Sequence, residues 1–319
     1  MAQEVCGPRH ADVGTDHGYL PHHLLSAGLV NWVVAVEKNQ QPCRLACQTL
    51  QGMPAEVRLG DGLGPLKVGE VDSLSLTGMG GLTIVGILQA HPQRVPDRVV
   101  VQCNDHQGPE LLRRWAWGSG FHIVREHWVA GRRPYLVQSF QRGRGLDPGY
   151  GPFREVELSY GPLLLRQGGN QMRRALEAKY QSLAPKAHVE LVGDKLRQLA
   201  MARTIMEAFE LARQCEPEEC LGLLLEGGGI LPMVNVAKNP ERGFELDPLE
   251  VAGVLARVPQ VMGLVHSHLD RGVQLSEADR QGARYLGRHW HYWIVNPRTH
   301  QMSAWSWDGA SFRPLPDGQ

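Results

Sequence analysis

Short apolar runs separated by helix-compatible segments dominate the first 140 residues of this chain. Four runs have the length and composition of β-strands, namely Trp32–Val36, Asp72–Leu76, Arg98–Val101 and Tyr135–Phe140. Strands that alternate with helices favour a parallel sheet covered on both faces, because each crossover helix packs on the sheet. We therefore expect the front part of the chain to be an α/β domain.

The rest of the chain changes character twice. Gly and Pro are frequent in Gly143–Gly151, as is typical of a loop or domain boundary. From Asn170 to Gln214, apolar residues recur at three- and four-residue steps with a break near Pro185, which predicts two amphipathic helices joined by a turn. Further strand-like runs then follow at Leu221–Leu225, Val261–Val265 and Tyr292–Val295.

A chain of 319 residues has room for two or three domains at roughly 100–200 residues each. From the changes in composition we place them at residues 1–150, 151–214 and 215–319. Lys and Arg number 33, as do Asp and Glu, and zero net charge argues against a nucleic-acid binder when the chain is taken whole. The balance is uneven, however. Residues 1–214 contain 24 basic and 20 acidic residues, whereas residues 215–319 contain 9 and 13.

Cysteine usage and the absence of apolar spans indicate the compartment. The six cysteines form no CxxC pair and no regular framework, which favours a reducing environment. The opening MAQEVCGPRHADVG has no secretory signal, and no apolar stretch approaches the roughly 20 residues that cross a bilayer. We expect a soluble, cytoplasmic protein with no membrane partner.

A glycine-rich turn, ADVGTDHGYLP, follows the first short apolar run. Gly14 and Gly18 allow a tight turn into a helix and a close approach of backbone to a ligand. Glu37 ends the second strand, where an acid can accept hydrogen bonds from ribose hydroxyls, and Asp61 lies where the third strand should end. Open α/β sheets bind ligands at strand carboxyl ends. The glycine turn taken alone is also compatible with a purely structural role.

Four motifs in order resemble those of the bacterial tRNA adenine-N1 methyltransferases that act at position 22: DVGTDHGYLP, EVRLGDGL, LTGMGGLTIVGIL and VVVQCNDHQGPELLRRWAWGSGFHIVREHWV. The segment YGPLLLRQGGNQMRRALEAKYQSL is similar to the part of that family that leads into its helices. The resemblance covers residues 11 to about 214. It implies a Rossmann-like class I methyltransferase domain with a helical hairpin appendage, S-adenosyl-L-methionine (SAM) as cofactor and tRNA as partner.

By position, the resemblance also implies the members of the cofactor site. The residues that would line the SAM pocket are Asp12, Gly14, Asp16, Gly18, Glu37, Asp61 and Gly62. Those that would lie between cofactor and target base are Gly78, Met79, Gly80 and Gly81. Adenine N1 has an in-plane lone pair, so transfer needs mainly an exposed Watson–Crick edge and a methyl group held in line. The methylated ring is cationic, and Asp16 and Asp61 are available to stabilise that charge, although neither is assigned as a base.

Basic residues concentrate late in the front part and along the predicted helical pair. Two explanations fit this distribution: the residues contact tRNA phosphates, or they lie on an ordinary solvated helical face. The residues are Arg125, Arg132, Arg133, Arg142, Arg144, Arg154, Arg173, Arg174, Lys179, Lys186, Lys195 and Arg197.

A second candidate site lies in VMGLVHSHLDRGVQLSEADR. His266 and His268 alternate at a predicted strand end, so their side chains point the same way, as two ligands of one metal must. Asp279 follows in a helix with Ser276 near its start. Two imidazoles and a carboxylate leave one position of a tetrahedral zinc ion open, and Glu219, at the end of a predicted helix, can serve as general base. Taken alone, a His-x-His pair is more often a pair of ordinary core or solvated residues, and Ser276 is also compatible with a helix N-cap.

The spacing of H-S-H, seven residues and S-x-x-D resembles the JAMM (JAB/MPN-type) metalloprotease signature, and NVAKNPERGFELDPLE is similar to that family's middle segment. The resemblance covers residues 215–319 and implies an α+β domain. It implies that His266, His268 and Asp279 hold Zn²⁺, that Glu219 activates water and that Ser276 stabilises the oxyanion. Substrates would be proteins or peptides, including ubiquitin-like conjugates.

The sequence thus predicts a fusion of a tRNA methyltransferase with a zinc hydrolase, and two alternatives stay open. Only eleven residues precede Asp12, so the front half is alternatively a non-catalytic RNA-binding or structural module. The rear domain is alternatively a non-catalytic scaffold. Its aromatic residues either form a substrate groove or, as we favour, pack in the core. They are Trp290, Tyr292, Trp293, Trp305 and Trp307.

Overall fold

The computed structural model describes residues 1–129, 134–187, 189–258, 260–286 and 289–315. The chain divides into two compact units, Met1–Gly149 and Tyr150–Gln319. The second unit contains both the predicted helical segment and the C-terminal sheet, and the three-part division of the chain stays a prediction. Within the described residues, no helix is long and apolar enough to cross a membrane.

The first unit is built on a seven-stranded sheet. Its strands are β1 (Arg9–Val13), β2 (Trp32–Glu37), β3 (Ala55–Leu59), β4 (Ser73–Met79), β5 (Arg98–Cys103), β6 (Phe121–Val129) and β7 (Tyr135–Arg142). Its α-helices are α1 (Tyr19–Ser26), α2 (Gln40–Thr49), α3 (Gly81–Ala90) and α4 (Gly108–Gly118). Short 3-10 helices occupy Ala2–Glu4 and Pro92–Arg94.

The strand order is β3-β2-β1-β4-β5-β7-β6. Strands β1 to β5 pair in parallel, as predicted. The expectation of a wholly parallel sheet is wrong at one edge, because β7 pairs antiparallel with both β5 and β6. β6 was not predicted from the sequence, because the exposed Arg125 and the buried Glu126 interrupt its apolar residues at one edge of the sheet.

The core of this unit follows from strands that are buried on both faces. In β2 the residues from Val33 to Val36 are all nearly inaccessible to solvent, and the same holds for Val99–Val101 in β5. Continuous burial of β-branched residues is typical of the central strands of a parallel sheet. This packing holds the carboxyl ends of the strands in fixed positions, where the loops that follow them can form a site.

The second unit combines helices with a six-stranded sheet of order β13-β12-β11-β10-β8-β9. The helices are α5 (Arg154–Tyr160), α6 (Pro162–Gln167), α7 (Asn170–Leu183), α8 (Glu190–Cys215), α9 (Pro248–Arg257) and α10 (Glu277–Leu286), with a 3-10 turn at Ala184–Lys186. The strands are β8 (Leu221–Leu225), β9 (Ile230–Pro232), β10 (Val261–Ser267), β11 (Trp290–Asn296), β12 (Gln301–Trp307) and β13 (Phe312–Pro314). β10 and β11 are parallel, and the other neighbours are antiparallel.

The predicted helical pair is confirmed as α7 and α8, which contact each other and are separated by the turn at Pro185. The apolar positions of α8 are buried at Leu199, Ala202, Met206 and Phe209, and α8 also contacts β9, β10 and β11. The helix therefore belongs to the core of the second unit. The aromatic residues are likewise core components: Trp290, Tyr292, Trp293 and Trp307 are buried and Trp305 is partly buried, as favoured from the sequence.

Candidate active sites

A cavity of about 1040 Å³ opens at the carboxyl edge of the parallel strands. Its lining is contributed by the residues that end or follow β1, β2, β3, β4 and β5. β1 lies between β2 and β4, so the strand order reverses at this point. Such a reversal separates the loops on either side and leaves the crevice in which open α/β sheets bind ligands.

The predicted cofactor residues converge on this cavity. Its lining includes Asp12, Gly14, Asp16, Glu37, Asp61, Gly62, Gly78, Met79 and Gly80. Gly18 and Gly81 lie outside the lining. Gly18 caps α1 in the left-handed conformation, and a Cβ there would lie 3.3 Å from the Ala46 Cα. Glycine is therefore required at position 18 for the packing of α1 on α2.

Glu37 fixes the two loops that flank the cavity. Its carboxylate is almost completely buried. Oε2 accepts a hydrogen bond from the Asp16 amide at 3.1 Å, and Oε1 accepts one from the Asn39 amide at 2.9 Å. The acid predicted to meet ribose hydroxyls thus also shapes the glycine-rich turn. The amides of Gly14 and Thr15 add to this by donating to the Val36 carbonyl.

The loop after β4 is held by residues at the end of β5 that belong to the fourth quoted motif but were given no predicted role in the site. The Gly78 amide donates to Gln102 Oε1 at 3.2 Å, and Asn104 Nδ2 donates to the Gly78 carbonyl at 2.5 Å. Asp105 Oδ2 accepts from the Gly81 amide at 2.6 Å. The backbone N–H groups of Gly81, Gly108 and Gln107 lower the pKa of the Asp105 carboxyl. The signal was available in the sequence, because Gln102-Cys103-Asn104-Asp105 directly follows a strand.

Two aromatic rings at the cavity were also missed. His17 and Tyr19 both line it, and their rings stack at 5.6 Å between centroids with an angle of 7°. Tyr19 is 72% exposed. An exposed, nearly flat pair of rings is the kind of surface on which a nucleobase stacks.

Arg58 closes the loop that carries Asp61. Its guanidinium pairs with Glu70 at 2.7 Å and donates to the Pro65 carbonyl at 2.8 Å. The hydrogen bond from Arg58 lowers the pKa of the Glu70 carboxyl to about 2. The loop between β3 and β4 is therefore tied back to the strand from which it leaves.

The second candidate site brings together three buried side chains from two elements. His266 lies near the end of β10, His268 follows that strand directly, and Asp279 lies in the first turn of α10. The two Nε2 atoms are 3.1 Å apart. Asp279 Oδ1 lies 3.1 Å from His266 Nε2, and Oδ2 lies 3.6 Å from His268 Nε2.

These separations fit one tetrahedral metal ion. Zinc binds histidine nitrogen at about 2.0–2.1 Å, so two of its ligands stand about 3.3 Å apart. All three residues offer ligand atoms within 4.8 Å of one another. His268 Nδ1 lies 2.8 Å from the Gly272 carbonyl, which leaves Nε2 unprotonated and facing the cluster.

The charges of the cluster also suit a cation. Burial lowers the pKa of His266, which keeps its ring neutral. Burial by itself raises the pKa of Asp279, but its contacts with the rings of His266 and His268 outweigh it and place the pKa well below its usual range. The neutral His266 ring and the ionised Asp279 carboxylate therefore suit a bound cation.

Glu219 lies in the connection between the end of α8 and the start of β8, and it is 2% exposed. Burial raises the pKa of its carboxyl to about 7, although Arg271 and His268 act in the opposite direction. Arg271 Nη2 lies 3.0 Å from Glu219 Oε1. Asn235 Nδ2 donates to the Glu219 carbonyl at 3.0 Å, which fixes the backbone of this residue.

Ser276 caps α10. Its Oγ accepts from the Asp279 amide at 3.1 Å, while Asp279 Oδ2 accepts from the Ser276 amide at 2.7 Å. This reciprocal pair is a capping box with aspartate in the role of glutamate. A second cavity of about 490 Å³ adjoins Ser276, Asp279 and Arg271, and its remaining walls include apolar residues of α9.

Comparisons with known proteins assign the two parts of the chain to two families. Residues 10–209 match the family model of tRNA (adenine(22)-N(1))-methyltransferase, and residues 201–308 match that of prokaryotic homologs of the JAB domain. The tRNA (adenine(22)-N(1))-methyltransferase of Bacillus subtilis is 31% identical over 122 residues, which are 36% of this chain and 50% of that protein. The desampylase of Haloferax volcanii is 34% identical over 88 residues, which are 26% of this chain and 61% of that protein.

The chain thus spans between half and two thirds of the length of these curated relatives. Among solved structures, the M. capricolum TrmK bound to its cofactor product S-adenosyl-homocysteine aligns with a TM-score of 0.55 and 21% identity. The alignment covers 64% of this chain and 95% of that one, and it supports the Rossmann-like fold. Since the first family model covers more than half of the chain, the protein belongs to the tRNA (adenine(22)-N(1))-methyltransferase family, and a prokaryotic JAB-type domain is fused behind that part.

Proposed function

We propose that the first unit is a SAM-dependent tRNA adenine-N1 methyltransferase. The observation that carries the proposal is the cavity at the strand-order reversal, with the glycine turn, Glu37 and Asp61 in its lining. Support also comes from the cofactor product bound to the M. capricolum relative. In this proposal the cofactor is held by Asp12, Gly14, Asp16, Glu37, Asp61 and Gly62, and the target base approaches Gly78 and Gly80.

The residues of the chain have mainly an orienting task in this reaction. SAM supplies a methyl group on a positively charged sulfur. The adenine N1 lone pair carries no proton, so no side chain has to act as a base. The rings of His17 and Tyr19 offer a stacking surface for the flipped base. Asp16 and Asp61 line the same cavity and are the acids available to stabilise the cationic methylated ring.

Recognition of tRNA is assigned in this proposal to the exposed basic side chains of α7, α8 and the turn between them. The exposed members include Arg174, Lys179, Lys186, Lys195 and Arg197, whereas the likewise exposed Arg173 and Arg203 pair with Glu210 and Glu207. Several other basic residues have acidic partners instead, including Arg125 with Glu4 and Arg142 with Asp97. Arg197 also contacts Asp194. Arg132 and Arg133 lie outside the described residues.

Salt dependence separates phosphate contacts from an ordinary solvated face. Each phosphate contact releases counterions, so tRNA affinity should fall steeply with added salt. Reversal of charge at Lys179 and Lys186 should weaken binding and flatten that dependence. Unchanged affinity in the variant would assign these residues to a solvated surface only.

Equilibrium binding of SAM to the full chain tests the cofactor claim. We expect saturable binding that S-adenosyl-homocysteine displaces. Absence of binding would defeat the methyltransferase and leave the front part as an RNA-binding or structural module.

We also propose that the second unit is a zinc-dependent JAMM-type hydrolase that cleaves peptide or isopeptide bonds, with ubiquitin-like conjugates among its substrates. The three-ligand cluster of His266, His268 and Asp279 carries this proposal. The curated desampylase relative supports the substrate class. A zinc ion there would polarise the scissile carbonyl and acidify water.

The remaining steps belong to Glu219 and Ser276. Glu219 would take the proton of the attacking water and return it to the leaving amine, and a carboxyl whose pKa is raised by burial suits both transfers. A zinc ion held by His266, His268 and Asp279 would lower the pKa of Glu219, and a lower pKa favours the carboxylate that accepts the proton. Ser276 would donate its hydroxyl hydrogen to the oxyanion while its oxygen still accepts from the helix.

Metal analysis of the purified protein separates the hydrolase from a non-catalytic scaffold. We expect about one zinc per chain in the wild type and none in a variant with His266→Ala and His268→Ala. Zinc absent from the wild type, or retained in the double variant, would contradict the assignment.

A further inference from the structure

Four polar side chains form a buried row on one face of the neighbouring strands β1 and β4. His10 pairs in register with Ser73, and Asp12 pairs with Ser75. Residues two apart on a strand share a face. His10, Ser73 and Ser75 are 0% exposed, and Asp12 is 3% exposed. Central strands of a parallel sheet are normally filled with apolar side chains, so this row requires an explanation beyond packing.

The row is continuously hydrogen-bonded. His10 Nδ1 lies 2.8 Å from Ser73 Oγ, and His10 Nε2 lies 2.8 Å from Ser75 Oγ. Ser75 Oγ in turn donates to Asp12 Oδ1 at 2.6 Å. Asp12 is the end of the row that lines the cofactor cavity.

The chemistry of these groups fixes the direction of the hydrogen bonds. A serine hydroxyl has one hydrogen, and that of Ser75 goes to Asp12. His10 Nε2 must therefore donate to Ser75, and Nδ1 must accept from Ser73. Burial lowers the pKa of His10 to about 3, so the ring is neutral and carries a single N–H.

We infer that Ser73, His10 and Ser75 are positioning residues that orient the Asp12 carboxylate toward a cationic group of the ligand in the cavity. Ser75 holds Oδ1, and Asp12 itself lines the cavity. The inference rests on the proposed function, because SAM carries an ammonium and a sulfonium group. Ser75 also favours the ionised carboxylate, which a cation requires.

The charge state of Asp12 depends on groups from three neighbouring segments. Burial raises the pKa of its carboxyl most, and Glu37 on β2 acts in the same direction. Ser75 on β4 and Thr15 in the glycine turn lower it. Loss of the Ser75 hydroxyl therefore raises the pKa further, so the carboxylate takes up its proton at a higher pH.

Titration of the full chain with SAM at several pH values tests the role of Ser75. In Ser75→Ala we expect about tenfold weaker binding, with the loss growing toward acid pH. Ser75→Thr keeps a hydroxyl and should bind as the wild type does. If Ser75→Ala binds SAM with wild-type affinity and an unchanged pH profile, and only its melting temperature falls, the row has a structural role alone. That result would overturn the inference.

The tautomer of His10 provides a second test that needs neither a folded variant nor bound SAM. Nitrogen-15 NMR of histidine-labelled wild-type protein distinguishes N–H at Nε2 from N–H at Nδ1. We expect His10 to be protonated at Nε2, and the opposite tautomer would reverse the row and overturn the inference. If the wild type shows the expected tautomer but does not bind SAM, the proposed cofactor is wrong, and so is the ligand assigned to Asp12.

Discussion

Zinc should stabilise the second unit, because its three proposed ligands are buried and already close together. His266, His268 and Asp279 are at most 3% exposed. A ligand that binds only the folded state adds about 2.7 kcal/mol when its free concentration is 100 times its Kd. For domains of roughly 150–250 residues, each kcal/mol moves the melting temperature by about 2–4 °C. Saturation with zinc should therefore raise the melting temperature of this unit by about 5–11 °C.

Differential scanning calorimetry of the chelator-treated full chain, with and without added zinc, measures this shift. The variant with His266→Ala and His268→Ala is the matched control, since it keeps the rest of the unit and lacks two of the ligands. It should melt at the same temperature with and without zinc. An equal zinc-dependent shift in the wild type and the variant, or no shift in the wild type, would refute the assigned cluster.

Other substitutions test separate parts of the account. Glu219→Gln should keep its zinc and lower kcat on a peptide or isopeptide substrate by about 10²-fold or more; full activity would remove Glu219 from its role. Gly81→Ala should lower the free energy of unfolding by about 1–3 kcal/mol in denaturant titrations, because the new Cβ would lie 2.2 Å from α4 backbone. Gly86→Ala on the same helix meets no atom within 4 Å and should stabilise by about 0.5–1 kcal/mol; equal effects would contradict the packing argument. Because the pKa of Glu70 is lower in the folded state, its ionised carboxylate stabilises the fold above about pH 4.3. This stabilisation is lost as the pH falls toward 2. Arg58→Gln should remove about 1–2 kcal/mol at neutral pH and little near pH 2, and a pH-independent loss in urea titrations would contradict the pairing.

Much of the fold was predictable because burial on both faces leaves a clear sequence pattern. The strands β2 and β5 of the first sheet are short apolar runs, and β4 alternates serine with leucine; the predicted and observed bounds of all three differ by at most three residues. β6 was not predictable in this way, since charged residues such as Arg125 and Glu126 interrupt it. Its antiparallel pairing depends on its tertiary partner β7.

The candidate sites were predictable to the extent that short motifs determine them. The motif that contains His266, His268 and Asp279 resembles the JAMM signature, and that resemblance implied that they converge. The row of His10, Ser73 and Ser75 was not found, because its members are far apart in sequence and only the pairing of β1 with β4 brings them together. Long-range contacts of this kind leave no local pattern.

The partner of Glu219 illustrates the same limit. Arg271 is separated from it by 52 residues, and only the fold places the guanidinium against the buried carboxylate. The sequence motif identifies Glu219 as a candidate base. It reveals neither the burial that raises the pKa of this carboxyl nor the Arg271 charge that acts against it.

The most direct test of the central claim is mass spectrometry of tRNA from cells with and without this gene. We expect N1-methyladenosine at position 22 of tRNA from cells that carry the gene and its loss from tRNA of the deletion. Restoration of the gene with Glu219→Gln should return the modification, since that residue belongs to the other site. Equal N1-methyladenosine at position 22 in the deletion and the parent would contradict the proposed methyltransferase.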